Sequence, residues 1–454
     1  MADLEAYRWY PTLVPDGSQN GVLILGGTNL RPSPTNPPGY EMDAVNSYEV
    51  ARIQFNAQPI PLLLPAPQNF DRKPGATQPT WPSPFILPPA SDRQYWGPVI
   101  PLAGPIHGLG NYPRTHVLGI LDALPVSSGT GPRIFVSGFN AWGVRWVHDG
   151  ATDPFFGATL PGQGFEIGQN PANNDVLVIY APSMLLPGPI GGISTQVARI
   201  GGGRQTPPAS PVLSNLVETS NVNTLPTPAS WVSGTGAIPP LNHARVVANA
   251  VFLPNGELFV VGGVNASGFV LTPELLVGGG TTWRDAATHT SVRPYHSTAL
   301  LLPDGRVLVC GGEGCSVDYE IWEPPYFQLT YGSVPPTGIT VKHKTTGVTV
   351  PQDLVYPNGM LYGQTYEALW TNTLEPGIEV NSVVLMRPAA LTHHDDGGQR
   401  LVRLVAWQEG EPASGGAISF QSPGSNLIAP RGWWMLFLVT TSGRPSLAYW
   451  VNLG

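Results

Sequence analysis

An all-β fold is what this amino-acid sequence predicts, and three observations lead there. Glycine (54 residues) and proline (51) are both well above ordinary usage and stand between short aliphatic runs, the composition of many strands joined by turns. Apolar residues alternate over short stretches, whereas amphipathic helical periods of about 12 residues or more are hard to find. No run of about 18 apolar residues suggests a membrane span.

The 454 residues, 42% of them hydrophobic, suffice for two or more domains and a large core. Only 11% are charged, the net charge is -8 and no Lys/Arg cluster exists, which argues against a nucleic-acid partner. Two cysteines, Cys310 and Cys315, define no disulfide scaffold; a bridge between them and two free thiols are both open readings. The start, MADLEAYRWY, has neither a basic n-region nor an apolar h-region, so no secretory signal is expected in it; either the chain is cytosolic as it stands or something precedes it.

Three segments share one plan of strand, Asx-Gly turn, strand and double glycine: LVPDGSQNGVLILGG (13–27), VFLPNGELFVVGG (251–263) and LLPDGRVLVCGG (301–312). The last two glycine pairs stand 49 residues apart, close to the ~50-residue period of a kelch-type propeller blade. Weaker copies, GPRIFVSGFNAW (131–142) and NDVLVIYAPS (174–183), fall between them. A propeller over residues 1–330 is the expectation, with the proline-rich 58–105 as an extended insertion.

After EIWEPPYFQLTYGSVPP (320–336) the double glycines stop and paired prolines suit a linker. Residues 336–454 then read as a sandwich of about seven short strands, among them GVTVPQDL, SVVLMRP, LVRLVAW, GAISF, WWMLFLVT and SLAYWVNL.

Rotationally related blades carry equivalent positions to the same face and radius. Tyr10 and Tyr295 are such positions, each two residues after an arginine (Arg8, Arg293) at the head of a hairpin. The copy with Arg245 has Val247 there, so the repeat does not itself demand tyrosine. His296 adjoins Tyr295, and the sandwich offers His393 and His394 in THHDDGGQR (392–400). Two phenols and two imidazoles favour tetragonal copper(II) over zinc. Adjacent strand residues face opposite ways, so one of His393 and His394 is expected to reach the metal while the other faces solvent or Asp395 and Asp396.

RWYPT, ARVVANAVFLPNGELFVVGG, YHSTALLLPDGRVLVCGG, EIWEPPYF, THHDDGGQR and RGWWMLFLVTTSGRPSLAYWV resemble the galactose oxidase and glyoxal oxidase family of copper radical oxidases, over most of residues 7–454 and weakly between 30 and 235. That resemblance implies a seven-bladed propeller followed by an immunoglobulin-like domain that sends a histidine-bearing loop up the propeller axis. It implies Tyr10 as the equatorial, radical-forming tyrosine, Tyr295 as the axial tyrosine and base, and His296 and His393 as imidazole ligands of one copper ion. His393 is chosen over His394 because Thr392-His393 keeps the family spacing to Gln399-Arg400. The implied reaction oxidises a small aldehyde or primary alcohol with O2, giving hydrogen peroxide. Family members are usually exported.

Some features depart from the family pattern. The family cross-links its radical tyrosine to an upstream cysteine, and no cysteine precedes Tyr10. At least one blade is also missing before residue 7, so the propeller reads as incomplete. Three explanations stay open: an N-terminal fragment supplied separately or lost, an unlinked tyrosine, or an inactive relative serving as a carbohydrate-binding, protein-binding or structural module. Where the family has the second cysteine of a small local disulfide, Asp318 stands, and Cys315 reads most simply as a buried turn residue. Thr28 and Asn29 after the first double glycine favour the glyoxal oxidase branch, and Arg114 lies one residue from the place of the substrate-gripping arginine of galactose oxidases.

Overall fold

A computed structural model of the chain describes strand backbones between residues 12 and 179, with side chains there at Arg114–Val117, Phe135, Ser137 and Val178. Beyond these it describes 180–205, 212–221, 231–233, 238–277, 279–314, 318–352, 359–408 and 416–454. Tyr10, Cys315, His107 and most of the 58–105 segment lie outside the described residues. No α-helix occurs among the described residues, so none there is long and apolar enough to cross a membrane.

Five antiparallel meanders follow one another along the described chain. Two are four-stranded in chain order, over 12–15, 21–25, 47–52 and 100–101, and over 115–120, 132–136, 144–148 and 165–169. The third runs through 183–185, 196–200 and 217–221, with Val232 bridged to Thr219 outside it. The fourth uses 249–252, 258–261, 274–277 and 282–285, and the fifth uses 297–301, 307–311 and 319–322.

The predicted Asx-Gly hairpins form alike in the last two meanders. Gly256 and Gly305 sit at φ 89° and 87°, the left-handed position that closes a short hairpin. In each, the glycine N–H donates to a leucine carbonyl three residues back (Leu253, 2.8 Å; Leu302, 2.9 Å). Double glycines then let neighbouring meanders approach: Gly202 N–H donates to Arg245 O and Gly263 N–H to Arg293 O, both at 2.8 Å. A Cβ on Gly263 would lie 2.6 Å from Val246 O, a contact no side chain tolerates.

The repeated arginines are anchors rather than surface charges. Arg245 is fully buried, bonding Gly262 O at 3.1 Å and Glu274 Oε1 at 2.6 Å. Arg293, equally buried, bonds Gly311 O at 3.3 Å, Asp318 at 2.9 Å and Glu320 at 3.1 Å. Asp318, at the place of the family's second cysteine, thus holds a buried guanidinium. Cys310 carries a free thiol.

The C-terminal part forms two four-stranded sheets, one ordered 340–343, 365–370, 416–421, 406–407 and the other 401–403, 380–386, 432–440, 449–453. The run WWMLFLVT is a strand buried on both faces, which explains its lack of polar alternation. Trp434, Leu436 and Leu438 join Val383, Leu385, Tyr366 and Phe420 in the core between the sheets. Met435, Phe437 and Val439 point the other way and pack with Met184, Ala198, Phe252 and Trp283 of the third and fourth meanders. Of the expected strand GVTVPQDL, the described residues meet strand 340–343 through an isolated bridge, Lys342 to Thr349, while the Thr365–Trp370 strand also pairs with 340–343. Tyr326 and Phe327, in the segment read as a linker, pack onto Gly305 and under Arg444.

Candidate metal centre

The inner strand of each later meander begins with a buried polar side chain, and these side chains link neighbours. His116 Nε2 lies 2.9 Å from Ser183 Oγ, and Asn249 Nδ2 donates to Ser297 Oγ at 2.9 Å. Just ahead of these starts the chain bends. Tyr180 (φ 51°), Val247 (53°) and His296 (66°) adopt left-handed conformations, at a cost of order 1–3 kcal/mol for a residue with a side chain.

Strand 380–386 continues into a finger that crosses from the sandwich to the meanders. Its tip is a two-residue hairpin in which Thr392 pairs with Asp395 and Leu391 with Asp396. His393 and His394 are its two central residues, at φ 49° and 67°, the pattern of a type I′ turn that glycine or asparagine usually fills. The doublet is therefore the turn itself, not the end of a strand, and the turn's geometry is what sends the two rings apart.

Gln399 and Arg400 seat the finger. Leu185 N–H donates to Gln399 Oε1 at 3.0 Å, and the Arg400 guanidinium donates to Val117 O on one side and to Ile428 O, at 3.1 Å, on the other. Asp396 Oδ1 accepts the N–H groups of Ala390 (3.1 Å) and Gly398 (3.2 Å), closing the finger's own bend.

Tyr295, His296 and His393 come together where the finger tip meets the fifth meander. The Tyr295 ring lies 4.0 Å from that of His296 and 5.6 Å from that of His393, centroid to centroid. The His296 and His393 rings meet edge to face at 4.6 Å and 87°. Thr392 Oγ1 lies 2.7 Å from His393 Nδ1; with the hydroxyl as acceptor, the ring's lone pair is on Nε2. Burial, and then the neighbouring His296, lower the His393 pKa to about 4, so its imidazole is neutral and able to ligate at neutral pH.

His394 turns inward. It is 2% exposed, its Nδ1 lies 3.4 Å from Asn249 Oδ1, and burial followed by Arg114 lowers its pKa to about 3. Asp395 and Asp396, which follow it in the chain, are buried as well. Burial raises them to about 7 and about 6 respectively, against the opposing pull of Arg114 on Asp395 and of backbone N–H groups on Asp396. Arg114, which the resemblance places one residue from the substrate-gripping arginine of galactose oxidases, is 5% exposed and within electrostatic reach of Asp395. His243, read as a surface or core histidine, pairs with Asp285 at 3.1 Å on the surface.

Sequence reasoning missed Tyr180 and Asn249. Tyr180 meets Tyr295 edge to face, centroids 5.7 Å apart at 72°. Its signal was an aromatic head on a meander whose proline-rich hairpin lacks the Asx-Gly turn.

Among the described residues no three His, Cys, Asp or Glu side chains converge as a metal site. The donor set present is of another kind: the imidazoles of His296 and His393, meeting edge to face, and the phenol of Tyr295. Nitrogen and phenol oxygen of this sort suit a tetragonal divalent copper and leave positions for further oxygen donors. The residues fit that ion.

Residues 350–453 match the family model described as galactose oxidase-like, early set domain. A galactose oxidase of Gibberella zeae is 29% identical over 247 residues, covering 52% of this chain and 33% of that protein. The aldehyde oxidase GLOX1 of Arabidopsis thaliana is 28% identical over 233 residues, covering 46% of this chain and 36% of that protein. The chain thus spans about a third of the length of these curated relatives. Among solved structures, a fungal alcohol oxidase in complex with copper superposes with a TM-score of 0.60 at 15% identity, over 99% of this chain and 76% of that one; the likeness is one of fold.

Proposed function

This chain belongs to the galactose oxidase and glyoxal oxidase family, and from that premise we propose that it is a copper radical oxidase, converting a small aldehyde or primary alcohol with O2 into the acid or aldehyde and hydrogen peroxide. The observation that carries the reading is the meeting of Tyr295, His296 and His393 at the junction of finger and fifth meander.

His296, His393, Tyr295 and Tyr10 would hold the copper. When bound, copper supplies one of the two one-electron acceptors that a two-electron oxidation requires. A phenoxyl on Tyr10 would be the other. Tyr295 is the base: its phenolate takes the hydroxyl proton of the bound alcohol or hydrated aldehyde, while Tyr10 takes hydrogen from the adjacent carbon. Thr392 orients His393, and Gln399 and Arg400 hold the finger so that this imidazole stays in place. Small substrates rather than galactose fit the Thr28-Asn29 pair after the first double glycine and the burial of Arg114.

A second reading is a galactose oxidase-like propeller that binds carbohydrate or protein without oxidase chemistry. Copper titration of the full chain, followed by a peroxide-coupled assay with methylglyoxal and simple primary alcohols, separates the two. One tightly held copper per chain and peroxide formed in step with substrate loss support the oxidase. Tight uptake without peroxide supports the second reading, and failure to bind copper removes the metal centre.

A further inference from the structure

Tyr180 stands outside every role assigned above, yet it is the aromatic side chain that closes the far side of Tyr295. We propose that Tyr180 is a positioning residue for Tyr295: its ring, set edge-on against the Tyr295 ring, fixes the angle at which that phenol enters the metal centre. The inference rests on the copper reading of the site.

Three observations carry it. The contact is aromatic edge to face, 5.7 Å between centroids at 72°, a directional arrangement that resists rotation of either ring. The backbone beneath Tyr180 is held in an unfavourable conformation, φ 51°, by a bond from Val247 N–H to its carbonyl at 3.0 Å, so the ring's direction is imposed rather than chosen. The Arg114 guanidinium, buried against Asp395, is close enough to feel the Tyr180 phenol, which links the ring to the layer under the finger. The rings around Tyr295 are thus those of His296, His393 and His394, the last at 5.9 Å between centroids, and that of Tyr180, which reaches it from another meander.

Val247 supplies the right test. It occupies the same bend in the next meander at φ 53°, so a valine is compatible with this backbone, and Tyr180→Val is expected to fold. Copper(II) affinity of the full chain is measured by chelator competition, and the phenolate-to-copper absorption band is recorded alongside, for the native chain, Tyr180→Val, Tyr180→Phe and Tyr295→Phe; circular dichroism melts report folding. Tyr180→Val is expected to weaken copper binding about threefold to tenfold and to move or broaden the band, because the phenol it steadies becomes free to turn. Tyr180→Phe, which keeps the ring, is expected to restore both. Tyr180→Val with native affinity and a native band, in a series where Tyr295→Phe weakens copper binding or alters the band, its remainder coming from Tyr10, overturns this inference and leaves the oxidase reading intact. Damage by Tyr180→Phe equal to that by Tyr180→Val overturns it as well, since the ring would not be what acts. A native chain that takes up no copper overturns both readings together.

Discussion

His296 and His393 present their imidazoles to one another edge to face, 4.6 Å between ring centroids, although one heads a hairpin of the fifth meander and the other tips a finger that starts in the sandwich. His394, one residue on, is instead sealed against Asn249. The neighbouring histidines therefore do different work, and substitution should separate them. His393→Ala is expected to lower copper(II) affinity by at least about 100-fold with a small change in melting temperature. His394→Gln is expected to keep copper affinity within about threefold while costing about 1–3 kcal/mol of stability, the penalty for disturbing a buried polar contact. Chelator competition and thermal melts on both variants check this; the reverse pattern would exchange the two assignments.

Thr392 tests whether the tautomer of His393 matters. Its Oγ1 lies 2.7 Å from Nδ1 and, accepting from that nitrogen, would place the lone pair on Nε2. Thr392→Val keeps shape and β-branching but removes that partner. Copper affinity is expected to fall about 10–100-fold, the usual effect of losing a ligand's orienting partner, and Thr392→Ser to recover most of it.

Much of this arrangement was legible in the sequence because it is periodic or local. The Asx-Gly hairpins at 251–263 and 301–312 form in the predicted register, and the Arg-x-Tyr/Val heads fall where the repeat put them. What could not be read was decided by partners far away in the chain. Asp395 and Asp396 look like a solvated turn because their burial depends on Arg114, Thr115 and the inserted finger. Tyr180 lacks the arginine and the Asx-Gly turn that flag Tyr295, so its place beside Tyr295 exists only in three dimensions. The His-His turn defied the strand rule because both residues take positive φ, which alternation along a strand does not anticipate.

The Arg245–Glu274 pair, with both side chains fully buried, should show the asymmetry of buried charges. Glu274→Gln leaves a guanidinium in the interior with three carbonyls, those of His243, Gly262 and Thr272, but no paired carboxylate. A loss of about 3–5 kcal/mol is expected in urea unfolding, well beyond what a surface pair yields.

Gly256 and Gly305 offer a matched comparison of strain and contact. Both lie near φ 88° at equivalent hairpin turns, yet an added Cβ meets nothing within 4 Å at Gly256, whereas at Gly305 it would stand 2.9 Å from Pro445 Cγ. Gly256→Ala is expected to cost about 1–2 kcal/mol, the left-handed penalty alone. Gly305→Ala should cost measurably more, because the Pro445 loop of the sandwich must also shift. Equal losses in parallel denaturant melts would mean that the loop moves without cost.

His116 gives the clearest pH dependence. Burial, and then the Arg400 and Arg114 charges, lower its pKa to about 3, whereas in the unfolded chain it titrates near the ordinary histidine value of 6.5. Above about pH 6.5 both states hold it neutral, and its contribution to stability is complete. As the pH falls from there toward about 3, the unfolded state binds a proton that the folded state refuses, so this contribution is lost at up to about 1.4 kcal/mol per pH unit. His394, Asp395 and Asp396 also titrate in this range, so the slope of the native protein alone is ambiguous. Comparison with His116→Asn removes that ambiguity to the extent that the variant leaves those groups' surroundings unchanged. At pH 7 to 8 the variant is expected to be less stable, because the links to Ser183 and Ser137 are weakened. The gap should narrow steadily below about pH 6.5 and can reverse sign near pH 5. A gap that stays constant from pH 8 to pH 4 would show that the buried imidazole takes up a proton as readily as a solvated one.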